Sequence, residues 1–117
     1  MNAVDVAQIN LTVEIRGALM KNPVGVASGT IGYGSEYEKL VELDRIGALY
    51  TKAVTLEARP GNDVPRIVET PSGMLNSIGL ANVGVERFLS EKIPYLRGLD
   101  CAVIPNVAGS STEDYIA

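Results

Sequence analysis

Lys52 stands in "LYTKAVT", a stretch otherwise made of apolar or small residues. Burying its ammonium group costs several kcal/mol unless an anion or good acceptors meet it. The residue therefore points to an anionic ligand. The competing reading is a lysine at a strand end, its stem buried and its head reaching water. Asn106, in "IPNVAGSS", offers an amide that both donates and accepts, which suits the edge of a heterocycle carrying N–H and C=O groups. Taken alone it reads first as a turn residue. In "ASGTIGYG" small residues let a flat ligand approach the backbone, and Ser28 and Thr30 add hydroxyls. Gly29, Gly32 and Gly34 do not have the spacing of a dinucleotide fingerprint, and a flexible loop ahead of a helix competes with a binding role. Cys101 has no base in sight and opens a strand, the wrong end for chemistry; it reads as a buried structural thiol.

"ETPSGMLNSIGL", residues 69–80, is unusual. Met74, Leu75, Ile78 and Leu80 are too apolar for a solvent-facing loop, while Pro71, Gly73 and Gly79 argue against a strand. Such a segment needs something other than water or a sheet to pack on.

These residues need a scaffold. "INLTVEI" alternates and "RGAL" turns, so residues 9–21 predict an N-terminal hairpin. Residues 24–27, 48–55 and 101–107 predict strands buried on both faces. Between them, Ser35 is expected to cap a helix over "EYEKLVELDRI", with Tyr37, Leu40 and Val41 on one face and Gly47 as the stop. A long irregular segment spans 56–81, a second helix covers 85–96 with Pro94 near its end, and Ser110 with Glu113 forms a capping box for a third. Repeated β–α units with two-sided apolar strands predict an α/β fold, a parallel sheet covered by helices. Ligands in such folds sit at the carboxyl ends of the strands, where Ser28, Lys52, Ala53 and Asn106 fall. Three β–α units are too few for a barrel, which takes eight strands and about 250 residues. The sequence ends at "EDYIA" without a helix stop, so the expectation is the first part of a larger domain.

Composition narrows the function. With 117 residues, 46% of them hydrophobic, the chain is ordered rather than disordered. A net charge of −4 without a basic stripe argues against nucleic acid. No apolar run approaches the ~20 residues of a membrane helix, and one cysteine without a leader pattern fits a cytoplasmic location. There is no histidine, and no metal site is expected.

"NPVGVASGTIGYGSEY", "YTKAVTLEARPGN", "PRIVETPSGMLNSIGLANVGVE" and "IPNVAGSSTEDY" together resemble the catalytic subunit of class 1 dihydroorotate dehydrogenase, with "GTIGYGSEY" most like the NAD-linked class 1B. The resemblance implies the N-terminal part of a (β/α)8 TIM barrel spanning residues 1–117. It further implies FMN-dependent oxidation of (S)-dihydroorotate to orotate in pyrimidine (UMP) biosynthesis. By position, Ser28, Lys52, Ala53 and Asn106 would bind FMN. Lys52, Asn76, Ser77, Ile78, Gly79 and Leu80 would bind substrate, the 76–80 loop packing over flavin and substrate. Lys52 would also favour hydride acceptance by its positive charge. The family's base cysteine and flavin-phosphate loops would lie beyond Ala117, leaving no catalytic base here. The family resemblance implies a homodimer, and class 1B adds an electron-transfer subunit carrying FAD and an iron–sulfur cluster. "Asn62-Asp63-Val64" departs from a usually proline-rich run, which bears on that loop's shape. Two alternatives stay open: a non-catalytic flavin- or pyrimidine-binding domain, and a related flavin-dependent dihydropyrimidine dehydrogenase.

Overall fold

The computed structural model describes residues 9–116; the assignment of residues 1–8 and Ala117 to the same domain lies outside them. The chain opens with a hairpin of β1 (Val13–Ile15) and β2 (Ala18–Met20), Ile15 pairing with Ala18. Arg16 and Gly17 form its two-residue turn at φ 48° and 89°. Positive φ at both positions matches the right-handed twist of the flanking strands, and glycine adopts it without strain.

Three parallel strands follow, β3 (Gly25–Val26), β4 (Ala48–Tyr50) and β7 (Ala102–Ile104), ordered β3-β4-β7. Gly25 pairs with Ala48, and Leu49 lies between Val26 and Val103. The ladder continues past the formal end of β4. Thr51 N–H donates to the Ile104 carbonyl at 3.1 Å, Val54 N–H to Asn106 at 2.8 Å, and Ala108 N–H to Val54 at 2.9 Å. The predicted 48–55 and 101–107 strands are thus one extended pairing with an irregular tail.

Two-sided burial holds only in β4, where Ala48 and Leu49 are fully buried. In β3 Gly25 is exposed and Val26 half-buried, and all of β7 is half-buried. One face of the sheet packs on the helical segment 84–96, giving a core of Ile31, Tyr33, Leu43, Leu49, Val54, Phe88 and Leu96. The other face carries no helical layer among the described residues, so the strands that expected two covers receive one.

Helix 84–96 forms as three pieces. α1 (Gly84–Arg87) runs into a π turn over Phe88–Lys92 and then α2 (Ile93–Leu96). Ile93 N–H donates to the Phe88 carbonyl, five residues back. Pro94 has no N–H, and in a regular helix its ring collides with the Ser90 carbonyl; a widened turn is one way to relieve this.

Three expectations are corrected. No helix spans 36–46; short 3₁₀ turns form at Ser35–Tyr37 and Leu43–Arg45. Ser35 caps nothing, and the Glu36 carboxylate instead accepts from Tyr33 N–H at 3.0 Å. Leu40 is 80% exposed while Leu43 is buried. Seating Tyr33 and Leu43 in the same core outweighs the weak helical stripe Tyr37–Leu40–Val41, since most helical stability comes from packing rather than propensity. The third helix, α3 (Thr112–Ile116), is capped one residue later than predicted: Asp114 N–H donates to Ser111 Oγ at 3.3 Å, and Ser110 N–H donates to the Asp114 carboxylate at 2.7 Å. The aspartate, shorter than Glu113, reaches back to both serines.

The third correction concerns the segment that seemed unable to pair. β5 (Ile67–Thr70) and β6 (Gly73–Asn76) form an antiparallel hairpin, Thr70 opposite Gly73. Pro71 falls in its two-residue turn, where it removes no ladder bond, and Gly73 opens the strand rather than interrupting it. Ile67, Val68, Met74 and Leu75 are exposed, Val68 standing opposite Leu75, so these apolar side chains have little cover within the described residues.

Candidate functional site

β3, β4 and β7 present their carboxyl ends at one rim of the sheet, and the loops there are laced together. Asn106 Nδ2 donates to Ser28 Oγ at 2.8 Å, joining residues far apart in sequence. Thr51, fully buried between them, accepts from Asn106 N–H at 3.3 Å through its hydroxyl. Lys52 N–H donates to the Gly32 carbonyl at 2.8 Å, which binds the glycine-rich loop to the tail of β4. Of the predicted positions, Ser28 and Asn106 thus meet directly because parallel pairing brings equivalent strand ends into line, while Lys52, next to Thr51, is held by its backbone to the glycine-rich loop.

An open cavity of about 540 Å³ lies against the uncovered face below this rim, lined by Gly25, Ala27, Ser28, Tyr50, Ile104, Pro105 and Asn106. Its floor is nearly free of side chains at β3. A Cβ on Gly25 would fall 2.9 Å from the Tyr50 ring, so glycine there makes room for the aromatic wall. A second hollow, of about 370 Å³, is lined by Glu38, Glu42 and Asp44. It also holds Arg45, paired with Glu42 at 3.1 Å, and sits before β4, at the amino end of the strands.

Lys52 is half-buried, lies outside the lining of the larger cavity, and has no ion-pair partner among the described residues. Ala53 is buried and likewise does not line it. Its carbonyl accepts from the Tyr33 hydroxyl at 3.3 Å. Burial pushes the Tyr33 phenol up, and the nearby Glu36 adds to this, so Tyr33 keeps its proton at neutral pH and can hold that bond. Cys101 sits at the opposite end of the sheet, its thiol raised mainly by burial and then by Asp44. It is a thiol, not a thiolate nucleophile.

Asn76 ends β6 opposite Ile67, and Ser77, Ile78 and Gly79 then fold against residues 60–66 rather than against Ser28 or Asn106, with Leu80 passing on to Asn82. Ser77 N–H donates to the Arg66 carbonyl at 2.8 Å, Asn62 Nδ2 to the Ser77 carbonyl at 3.0 Å, and Asn62 N–H to the Ile78 carbonyl at 3.1 Å. Arg66 secures the 60–66 loop from within, donating to the carbonyls of Asn62 and Pro60. Gly79 and Leu80 take left-handed φ of 74° and 56°. None of the N–H groups of Ile78, Gly79 and Leu80 donates to another described residue. Runs of free N–H groups in such turns form concavities that attract anions.

Asn82 ties this loop to the rim, and reading the sequence for chemistry missed it. It is 9% exposed. Its Oδ1 accepts from Thr55 N–H at 3.2 Å and Gly84 N–H at 2.9 Å, while Nδ2 donates to Thr55 Oγ1 and to the Leu80 carbonyl, both at 2.9 Å. The loop's far end is thereby fastened three residues beyond Lys52. The available signal was an amide inside the apolar run "IGLANVGV", since a buried polar group needs partners.

Among the described residues no helix is long and apolar enough to cross a membrane, and no cluster of metal-ligating side chains occurs. The family model for dihydroorotate dehydrogenase matches residues 10–117. Curated relatives include the catalytic subunits of dihydroorotate dehydrogenase B (NAD(+)) from Geotalea daltonii, Pelobacter propionicus and Anoxybacillus flavithermus. The first is 51% identical over 93% of this chain and 36% of its own length. The second is 52% identical over 91% and 35%, and the third 53% identical over 91% and 34%. The chain spans about a third of the length of these relatives. In fold it is similar to the crystal structure of a dihydroorotate dehydrogenase from Eimeria tenella in complex with ferulenol, with a TM-score of 0.66 and 19% identity over 97% of this chain and 34% of that one. Parallel strands, the laced rim and these matches agree, and the chain belongs to the dihydroorotate dehydrogenase family.

Proposed function

We propose that this chain is the N-terminal third of an NAD-linked dihydroorotate dehydrogenase catalytic subunit, working in the cytoplasm to oxidise (S)-dihydroorotate to orotate with FMN. The observation that carries the reading is the bond between Ser28 and Asn106 at the strand-end rim above a small-residue cavity, with Lys52 on the adjoining tail of β4. Strand order that follows chain order supports the first units of a (β/α)8 barrel, whose interior is the uncovered sheet face.

FMN fits the residues present. Gly25, Ala27 and Ser28 leave a side-chain-poor floor for a flat ring, and the Asn106 amide and Ser28 hydroxyl supply polar contacts at its edge. When bound, FMN supplies a two-electron hydride acceptor. The chain's own residues bind and orient. Lys52 offers an ammonium free of any ion pair among the described residues, and the N–H groups of residues 78–80 offer a second anion receptor. Together they suit the carboxylate of dihydroorotate. The proton-accepting base, a cysteine by family resemblance, belongs to the part of the protein beyond this chain. Relatives named NAD(+)-linked catalytic subunits support a partner subunit; the family resemblance adds that this partner carries FAD and an iron–sulfur cluster and that the core is a homodimer.

The test is anaerobic stopped-flow on the full-length, flavin-loaded protein. Dihydroorotate should bleach the flavin, and Lys52→Ala should weaken binding and slow bleaching together by about 1.5–3 kcal/mol, the worth of a charge-assisted contact. No bleaching by dihydroorotate in the wild type refutes the function. Unchanged binding and rate in the variant would leave Lys52 a snorkelling surface lysine.

A further inference from the structure

We infer that Asn62 is a positioning residue for ligand charge: it holds the 77–80 turn with its N–H groups turned outward and so sets selectivity for a carboxylated ring. The inference rests on the reading of 77–80 as the carboxylate receptor. Asn62 reaches this turn twice, its side-chain amide donating to the Ser77 carbonyl at 3.0 Å and its backbone N–H to the Ile78 carbonyl at 3.1 Å. Both bonds take up carbonyls. The N–H groups of the next residues, Ile78, Gly79 and Leu80, are left without acceptors among the described residues.

A peptide unit has one N–H and one C=O on opposite edges, so fixing the carbonyl on one side directs the N–H to the other. Gly79, at φ 74°, is where this turn can most readily flip, because glycine adopts either sign of φ at little cost. Asn62 also packs tightly on that glycine: a Cβ on Gly79 would lie 2.8 Å from Asn62 Cγ, N and Oδ1. Removing the amide frees the Ser77 carbonyl and the space beside Gly79 at once. A flipped peptide would aim a carbonyl oxygen where an anion is to sit.

Asn62 grips the carbonyl side of the turn, so it acts through the N–H groups opposite and its effect should depend on ligand charge. The test is calorimetric titration of the full-length, flavin-loaded protein with orotate and with its neutral carboxamide. In the wild type orotate should bind the tighter. Asn62→Ala should weaken orotate by about 3- to 10-fold, the worth of one net hydrogen bond, and leave the carboxamide within about twofold. Asn62→Asp, which keeps the shape but loses the donor, guards against collapse of the loop and should show the same selective loss in high salt, where the added charge is screened. Equal losses for both ligands would make Asn62 a general structural clasp and overturn the inference, as would no loss, or a loss in Asn62→Asp alone. A wild type that does not distinguish the two ligands would instead refute the carboxylate reading of 77–80 itself.

Discussion

Replacing Asn82 by alanine isolates the contribution of the amide that fastens the 77–80 turn to the sheet. Its side chain serves four groups. Two of them, Thr55 N–H and Gly84 N–H, belong to buried residues and would have no acceptor after truncation. An unsatisfied buried donor costs about 1–3 kcal/mol, so the pair costs about 2–6 kcal/mol. The Leu80 carbonyl lies on an exposed residue that water can reach, and Thr55 Oγ1 keeps its bond to the Glu57 carbonyl, so these add little. Against a typical domain stability of about 5–15 kcal/mol, the loss is large. Guanidinium denaturation of the full-length protein should show a clearly lower midpoint, and amide exchange at Thr55 and Gly84 should accelerate. Asn82→Asp keeps the acceptor and loses the donor, so it should fall between wild type and alanine. A shift within about 0.5 kcal/mol for Asn82→Ala, the range of an ordinary surface substitution, would refute the reasoning.

Gly79→Ala should destabilise the 77–80 turn by about 1–2 kcal/mol for the left-handed backbone alone, with the clash against Asn62 in addition. Orotate affinity by calorimetry should fall with it, and retained affinity would show that the turn is not held in this conformation. Stability should also decline at alkaline pH. Burial raises Cys101 above its ordinary 9.0, and burial raises Tyr33 and Tyr95 above 10.0. The unfolded chain therefore releases these protons first, so the stability is whole below pH 9 and is lost as pH rises through the folded values. Cys101→Ala should remove the part of the decline that begins between pH 9 and 10, which denaturation midpoints across that interval would reveal.

Much of the scaffold was legible because it rests on local pattern. Arg16-Gly17 between short alternating runs specified a tight hairpin, and apolar runs spaced by helical ones specified parallel strands. The meeting of Ser28 and Asn106 followed, since equivalent ends of neighbouring parallel strands lie at one rim. Local pattern failed where two patterns competed. The stripe Tyr37–Leu40–Val41 was a fair helix, but only the assembled core shows that Leu43 is the residue to bury, and the helix gives way to two turns. "ETPSGMLNSIGL" reads as unfit for a strand because it holds Pro71 and Gly73. Pairing with Ile67–Thr70 puts the proline in a turn, and only the partner strand reveals that. The clasps by Asn62 and Asn82 were the least visible. An amide's role is set by which carbonyls and N–H groups surround it, and those come from residues 15 and 27 positions away in the chain. Sequence by itself determined the N-terminal hairpin, the three parallel strands and the residue types at the rim. Tertiary packing decided which polar groups met, because hydrogen bonds depend on angstrom-scale approach that no spacing along the chain encodes.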